Sequence, residues 1–331
     1  MMGRVNFSLG MLVAMLVPAA LVVLGCSGTS NVRIYQNVSE RGVWGVGGKI
    51  AFASFGGNGL LYISTINENG GGLFLLTPSD NDTDFSDEGG RNPAYNPAAT
   101  ALAIASRRGE SEAIYLIDAA RGDRDGIVAV TSAAGEGADN QPNYTPDGNS
   151  IVFTSTRRAG NGDIYMIALP APAAVAPAQA DARTAVVNTD AEETSAVVSP
   201  DGTKVAYTSD SNGNTDVWVK DLGTDPADPG TCLTANSPYR DEAPAWSPDG
   251  TKITFHSNRR GDFDIWMMDA DGANQVAVTS DQRSDGYPVF SPAGDRLLIT
   301  RDRELWTVPP LPWTEWQATA DRDSTQLTRR F

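Results

Sequence analysis

The chain has 331 residues, 40% of them hydrophobic and 20% charged, with 33 glycines and 20 prolines: the composition of a turn-rich globular protein with a sizeable core. Asp and Glu outnumber Lys and Arg by 41 to 25, and the resulting net charge of −16 argues against nucleic acid or a bare anionic lipid surface as partner. One histidine and two cysteines leave little for a histidine-built metal centre or a disulfide framework.

In chain order, a targeting segment comes first. Arg4 precedes the apolar run "LGMLVAMLVPAALVVL" at 9–24, which Pro18 interrupts. That length suits a signal-peptide core and is short for a membrane span, the alternative reading. The run ends in "VLGC", Val23 to Cys26, which resembles the lipobox of bacterial lipoproteins. The resemblance implies a signal peptide over 1–25, cleavage before Cys26, and diacylglycerol and acyl chains on that cysteine, enough for stable membrane attachment. A short tether, 26–43, follows. Ser27 stands where an Asp often retains enterobacterial lipoproteins in the inner membrane, so under that sorting rule the outer membrane is favoured. With Cys26 lipidated, Cys232 has no disulfide partner and is expected to be packed rather than reactive.

From residue 44 the chain repeats itself. "WGVGGKIAFAS" (44–54) is followed by "YNPAATALAIAS" (95–106), "YTPDGNSIVFTS" (144–155), "VSPDGTKVAYTS" (198–209), "WSPDGTKITFHS" (246–257) and "FSPAGDRLLITR" (290–301). The last strand residue recurs at 54, 106, 155, 209, 257 and 301. That spacing of roughly fifty residues is too long for one hairpin and suits about four short strands. A strand a, a turn and a strand b open each unit; the turn is Pro-Asp-Gly at 146–148, 200–202 and 248–250 and Pro-Ala-Gly at 292–294, and the first copy has lost the proline. Proline presets the first central turn position, Asp suits the second and glycine takes positive φ. Pro97-Ala98-Ala99 has neither Asp nor Gly and predicts a looser turn.

Strand b has one large face (Ile50/Phe52, Leu102/Ile104, Ile151/Phe153, Val205/Tyr207, Ile253/Phe255, Leu297/Ile299) and a mostly small one (Ala51/Ala53, Ala103/Ala105, Val152/Thr154, Ala206/Thr208). Neither face reads as solvated, so each sheet is expected to sit between two others, thick face on thin. A strand c carries one aromatic per unit, Tyr62, Tyr115, Tyr165, Trp218, Trp266 and Trp306, and a short strand d ends in threonine. The fold class is therefore all-β: a six-bladed β-propeller of four-stranded antiparallel blades, spanning 44–331 and preceded by a lipoprotein signal peptide.

"APAWSPDGTKITFHSNRRGDFDIW" at 243–266 and "QPNYTPDGNSIVFTSTRRAGNGDIY" at 141–165 resemble the repeat of the TolB-like propellers, the PD40 or WD40-like β-propeller repeat. The likeness covers about 44–328 and implies a six-bladed propeller, without the α/β domain that precedes it in TolB. The last blade could be closed by a strand near Gln326-Leu327-Thr328, after the insertion at 309–323, or by "VRIYQNV" at 32–38. The Ala/Pro-rich stretch 170–183 reads as an extended loop.

Candidate binding residues lie in loops that a propeller gathers on one face. Three positions before the strand-a proline or its equivalent stand Asp139, Glu193, Asp241 and Asp285. They form an expected acidic ring at the channel mouth, able to bind a cationic group of a partner or to bond structurally. Arg107, Arg108, Arg157, Arg158, Arg259 and Arg260 lie in the b-to-c loops of the same face and could pair with those carboxylates or with a partner's. The loops 80–84 and 210–216 place oxygens at alternate positions but lack the glycine and glutamate of an EF-hand. His256 has neither a second histidine nor a Gly-x-Ser-x-Gly nucleophile motif to work with, and reads as a packed histidine.

No catalytic set, metal site or cofactor is expected. The reading is a monomeric, non-catalytic envelope lipoprotein whose propeller presents one loop face to an envelope protein, a peptide or a cell-wall component. The alternative is a carbohydrate-active enzyme, a polysaccharide lyase or hydrolase, on the same scaffold.

Overall fold

The computed structural model describes residues 42–55, 61–77, 90–122, 127–157, 160–169, 182–235, 237–310 and the backbone of 325–326. Residues 1–25, expected to be a signal peptide, and Cys26, Arg158, the 80–84 loop and 32–38 lie outside the described residues, as do most of both insertions. No helix among the described residues is long and apolar enough to cross a membrane.

Six four-stranded antiparallel sheets follow one another along the chain. Blade 1 is β1 (Val43–Trp44), β2 (Lys49–Phe55), β3 (Leu61–Asn67) and β4 (Phe74–Leu75). Blade 2 is β5 (Arg91–Tyr95), β6 (Ala101–Ser106), β7 (Ala113–Asp118) and β8 (Val128–Ala129); blade 3 is β9 (Asp139–Tyr144), β10 (Ser150–Ser155), β11 (Asp163–Ala168) and β12 (Arg183–Val187). Blade 4 is β13 (Glu193–Val198), β14 (Lys204–Ser209), β15 (Asp216–Asp221) and β16 (Thr231–Cys232). Blade 5 is β17 (Asp241–Trp246), β18 (Lys252–Arg260), β19 (Asp262–Asp269) and β20 (Val276–Ala277); blade 6 is β21 (Asp285–Phe290), β22 (Leu297–Arg301), β23 (Glu304–Val308) and β24 (Thr325–Gln326). First strands touch first strands around the ring, including β21 with β1, so strand a lines the axis.

The turns follow their residues. Gly250 takes φ +71° and donates its N–H to Ser247 O at 2.9 Å, while Asp249 accepts from Thr251 N–H at 3.0 Å. Ser247 N–H closes the hairpin on Lys252 O at 2.9 Å, so the loop has four residues, 248–251, and the third is left-handed. In the degenerate copy Ala99 is forced to φ 54°, and Asn96 replaces the missing Asp by accepting from the N–H groups of Thr100 and Ala101.

The apolar core lies between blades, not within them. Ala103, Ala105 and Ile114 of blade 2 meet Ile151, Phe153 and Tyr165 of blade 3. Ala206 and Val217 of blade 4 meet Ile253 and Phe255 of blade 5. Leu298 and Leu305 of blade 6 meet Ile50, Phe52 and Ile66 of blade 1. The small faces are as buried as the large ones, since a thin side leaves room for the neighbour's thick side. The last blade takes its outer strand from residues that follow it in the chain, β24 on β23, and among the described residues no strand crosses the seam between blades 6 and 1.

The strand-d threonine has a definite task. Thr77, Thr131, Thr234 and Thr279 accept the N–H groups of Ile63, Ile114, Val217 and Ile265 through their hydroxyls. These contacts also correct the aromatic register in blade 1. Phe52 faces Ser64, whereas its counterparts Phe153 and Phe255 face Tyr165 and Trp266. Tyr62 instead sits opposite Ser54, in the slot that holds Asp163 and Asp264 elsewhere, because blade 1 reaches strand c two residues out of step.

Candidate binding site at the channel mouth

The four carboxylates do begin the first strands of their blades, but they do not form an open acidic ring: Asp139, Glu193, Asp241 and Asp285 are all fully buried. Three are closed by arginines of their own blade. Arg157 Nε and Arg183 Nη1 each lie 2.9 Å from Asp139. Arg259 Nη2 lies 2.7 Å from Asp241, and Arg301 binds Asp285 with both Nε and Nη2 at 2.6 Å. Some of these guanidinium groups also strap neighbouring blades together. Arg157 Nη2 donates to Ser132 O at 2.6 Å and Glu112 O at 3.0 Å in blade 2. Of the other arginines, Arg107 and Arg260 are exposed and Arg108 lies over the Tyr115 ring.

Blade 4 departs from this scheme. Ser211 stands where Arg157 and Arg259 stand, with the same backbone bond to the preceding serine hydroxyl. Among the described residues Glu193 therefore has no guanidinium. Thr189 Oγ1 binds one of its oxygens, and the other has no hydrogen-bond partner. Burial, and secondarily the Asp163 and Asp210 charges, push its pKa up to about 7. Asp264 is also raised to about 7, by burial first and then by Asp285.

A pH dependence follows. Between the unfolded carboxyl value of about 4 and the folded value near 7, the folded protein holds protons that the unfolded chain has released. Stability contributed by these two groups is therefore present at low pH and lost as pH rises through that window. The melting temperature is expected to fall between about pH 5 and pH 7 and then level off. Glu193→Gln and Asp264→Asn should each flatten the slope, and a melting temperature that climbs over that range would contradict the assignment. The carboxylates with depressed pKa, such as Asp269, act in the opposite sense only at lower pH.

The open part of the mouth is elsewhere. In five blades strand a carries a bulge whose residue takes positive φ: Asn92, Gln141, Ser195, Ala243 and Tyr287. The bulge breaks the register with strand b and turns an N–H toward the preceding blade. That N–H needs an acceptor. Ala243 N–H donates to Thr208 Oγ1 at 3.1 Å, and Ser195 N–H to Gln141 Oε1 at 2.8 Å, itself held by Thr154. Tyr287 N–H donates to His256 Nδ1 at 3.1 Å. Thr154, Thr208 and His256 occupy one strand-b column, so His256 does the work of a threonine. Its Nε2 faces Glu242 Oε2 at 3.3 Å, which assigns the proton to Nε2. Burial opposes the Glu242 charge, but the bonds from His256 and Arg240 outweigh it and hold the carboxyl below its ordinary pKa.

Around these residues a cleft of about 900 Å³ opens over blades 5 and 6, walled by Arg240, Phe263, Ser284, Tyr287, Asp302 and Arg303. It shares Glu242, His256 and Tyr287 with a smaller cavity of about 190 Å³ that runs toward Gln141 and Ser195. The cleft exists because the b-to-c connection of blade 6 is only Asp302-Arg303, between paired Arg301 and Glu304. Beyond the equivalent pair, Ser257 and Asp264, blade 5 carries a six-residue extension, 258–263, that pairs again at Arg260 and Asp262, and beyond Ser209 and Asp216 blade 4 carries the loop 210–215. That last loop is internally bonded: Asp210 accepts from Glu192 N–H, and Asn212 donates to Asp216. Among the described residues no group of three or more His, Cys, Asp or Glu is placed to hold a metal. Burial raises the Cys232 thiol to about 11, which keeps it protonated and unreactive at neutral pH.

Fold and site define a six-bladed β-propeller with a wide loop-face cleft and a filled blade interior. Residues 174–305 match the family model of the TolB beta propeller domain, PD40. The chain superposes on a putative TolB from Agrobacterium tumefaciens with a TM-score of 0.59 at 18% identity, covering 77% of this chain and 84% of that one. TolB from Acinetobacter baumannii gives 0.56 at 22% identity over 85% and 67%. The propeller domain of the Trilobed protease from Pyrococcus furiosus, described as having an open velcro topology, gives 0.54 at 11% identity over 90% and 97%. Peptidases carry similar propellers: the chain covers 45% of a puromycin-hydrolyzing peptidase from Mycobacterium tuberculosis, at 16% identity. The chain is thus a TolB-like propeller in fold, with blades that other proteins join to quite different activities.

Proposed function

We propose that this protein is a non-catalytic scaffold of the bacterial envelope, held to a membrane by lipid on Cys26, that binds an extended protein segment in the channel-mouth cleft over blades 5 and 6. The observation that carries the reading is the cleft itself. It is large enough for several side chains, lies at the shared mouth of the ring, and offers exposed Tyr287 and Arg303 on backbone held by the fold. The histidine beside it has both ring nitrogens committed, one to the Tyr287 N–H and one to Glu242. That engagement favours binding over the alternative of a lyase or hydrolase. The likeness to two TolB structures supports the envelope location, as does the "VLGC" sequence.

A photo-crosslinking side chain at Tyr287 in the full chain, activated in the native envelope, should yield a discrete protein adduct. The same group at exposed Asp271, on the opposite loop face, should not. Adducts only from Asp271, or turnover of pectic or peptide substrates by the purified protein, would reverse the reading.

A further inference from the structure

The two-residue hairpin of blade 6 has an unusual composition for its geometry. Asp302 takes φ 50° and Arg303 φ 65°, both left-handed, in a turn that normally recruits Asn-Gly. Arginine at the second position costs stability that glycine would not. The hairpin nonetheless holds Arg303 exposed at the wall of the cleft.

The neighbouring arginines are committed. Arg240 binds Glu242 at 2.7 Å, Arg259 binds Asp241, and Arg301 binds Asp285 and Asp281. Asp302, also exposed at the cleft wall, makes no ion pair among the described residues. Among the described residues Arg303 has no ion pair or hydrogen bond through its guanidinium. The cleft therefore offers one uncommitted cation. Beside it are the rings of Phe263 and Tyr287, both set edge-on to His256, with centroids at 4.9 and 5.2 Å.

We propose that the segment bound in the cleft is an acidic–aromatic peptide: a carboxylate meets Arg303, and a neighbouring aromatic or large aliphatic side chain rests on Phe263 and Tyr287. A guanidinium and a carboxylate make two parallel charge-assisted hydrogen bonds, which supplies direction as well as attraction. The aromatic rings supply rigid apolar contact at low entropy cost. This rests on the channel-mouth reading above and specifies its ligand.

The test uses two blocked hexapeptides, Gly-Ser-Phe-Asp-Ser-Gly and its Asp-to-Asn counterpart, titrated by fluorescence anisotropy against the full chain. The Asp peptide should bind about tenfold more tightly. That preference should vanish in Arg303→Gln and in Arg303→Gly. Arg303→Gly should also raise the melting temperature by relieving the left-handed strain, so loss of binding cannot be ascribed to unfolding. Equal binding of the two peptides, an unchanged preference in Arg303→Gln, or no binding of either at millimolar concentration overturns the proposal. If the Tyr287 crosslink survives in Arg303→Gln, only the arginine's role falls. If neither the crosslink nor the peptide appears, the channel-mouth reading falls with it.

Discussion

Arg301→Ala is expected to lower folding stability by about 3–5 kcal/mol, read from the urea midpoint at constant m-value. Both partners of the Arg301–Asp285 pair are essentially sealed from water, with side-chain exposures of 4% and 0%. Removing the guanidinium leaves a buried carboxylate without its compensating charge, and the full desolvation cost of that group appears. Net attraction across the pair is a much smaller quantity. The contrast is the exposed Lys204–Asp221 pair, where the same truncation should cost about 0–1 kcal/mol. A double change, Arg301→Met with Asp285→Leu, should recover most of the loss, because no unpaired charge remains. If Arg301→Ala costs no more than truncating Lys204, the carboxylates at the strand starts are not the internal ties described here.

Phe52→Ala should cost about 3–5 kcal/mol, as should Phe153→Ala and Phe255→Ala, since all three rings are fully buried between blades. Their dynamic consequences should differ. Blades 2 and 3, and blades 4 and 5, stay joined by the chain that runs between them. Among the described residues, blades 6 and 1 are joined by packing, of Leu298 and Leu305 on Trp44, Ile50, Phe52 and Ile66, and not by a shared strand. Phe52→Ala therefore weakens the packing that closes the ring among the described residues. Hydrogen exchange should accelerate first in β2, β3, β22 and β23, ahead of blades 3 and 4. Uniform acceleration around the ring would show that the seam is no weaker than the other interfaces.

The repeat made much of this fold legible. Thick and thin faces of strand b can be read from alternation alone, because a period of two assigns each residue to a face. Pro-Asp-Gly states its own turn. The short hairpin at Asp302-Arg303 is visible as a shortened copy, though its consequence is not. The aromatic of blade 1 stands two positions from its expected slot, because Tyr62 imitates the repeat in sequence while Ser64 holds that slot in the paired strands. The acidic column was legible as a column, but its environment was not, since a carboxylate's burial depends on whether an arginine two residues past strand b folds back on it. Arg157 and Arg259 do so, and Ser211 cannot.

The sequence by itself determined the number of units, the order of strands and the faces that pack, because these follow from local turn chemistry and from alternation repeated six times. Only the tertiary structure decided which polar groups face water. The strand-a bulges take their acceptors from the neighbouring blade, His256 among them. The cleft over blades 5 and 6 is the space left when one loop is shorter than those beside it. Both depend on what stands opposite across the ring, and a reading along the chain carries no information about that.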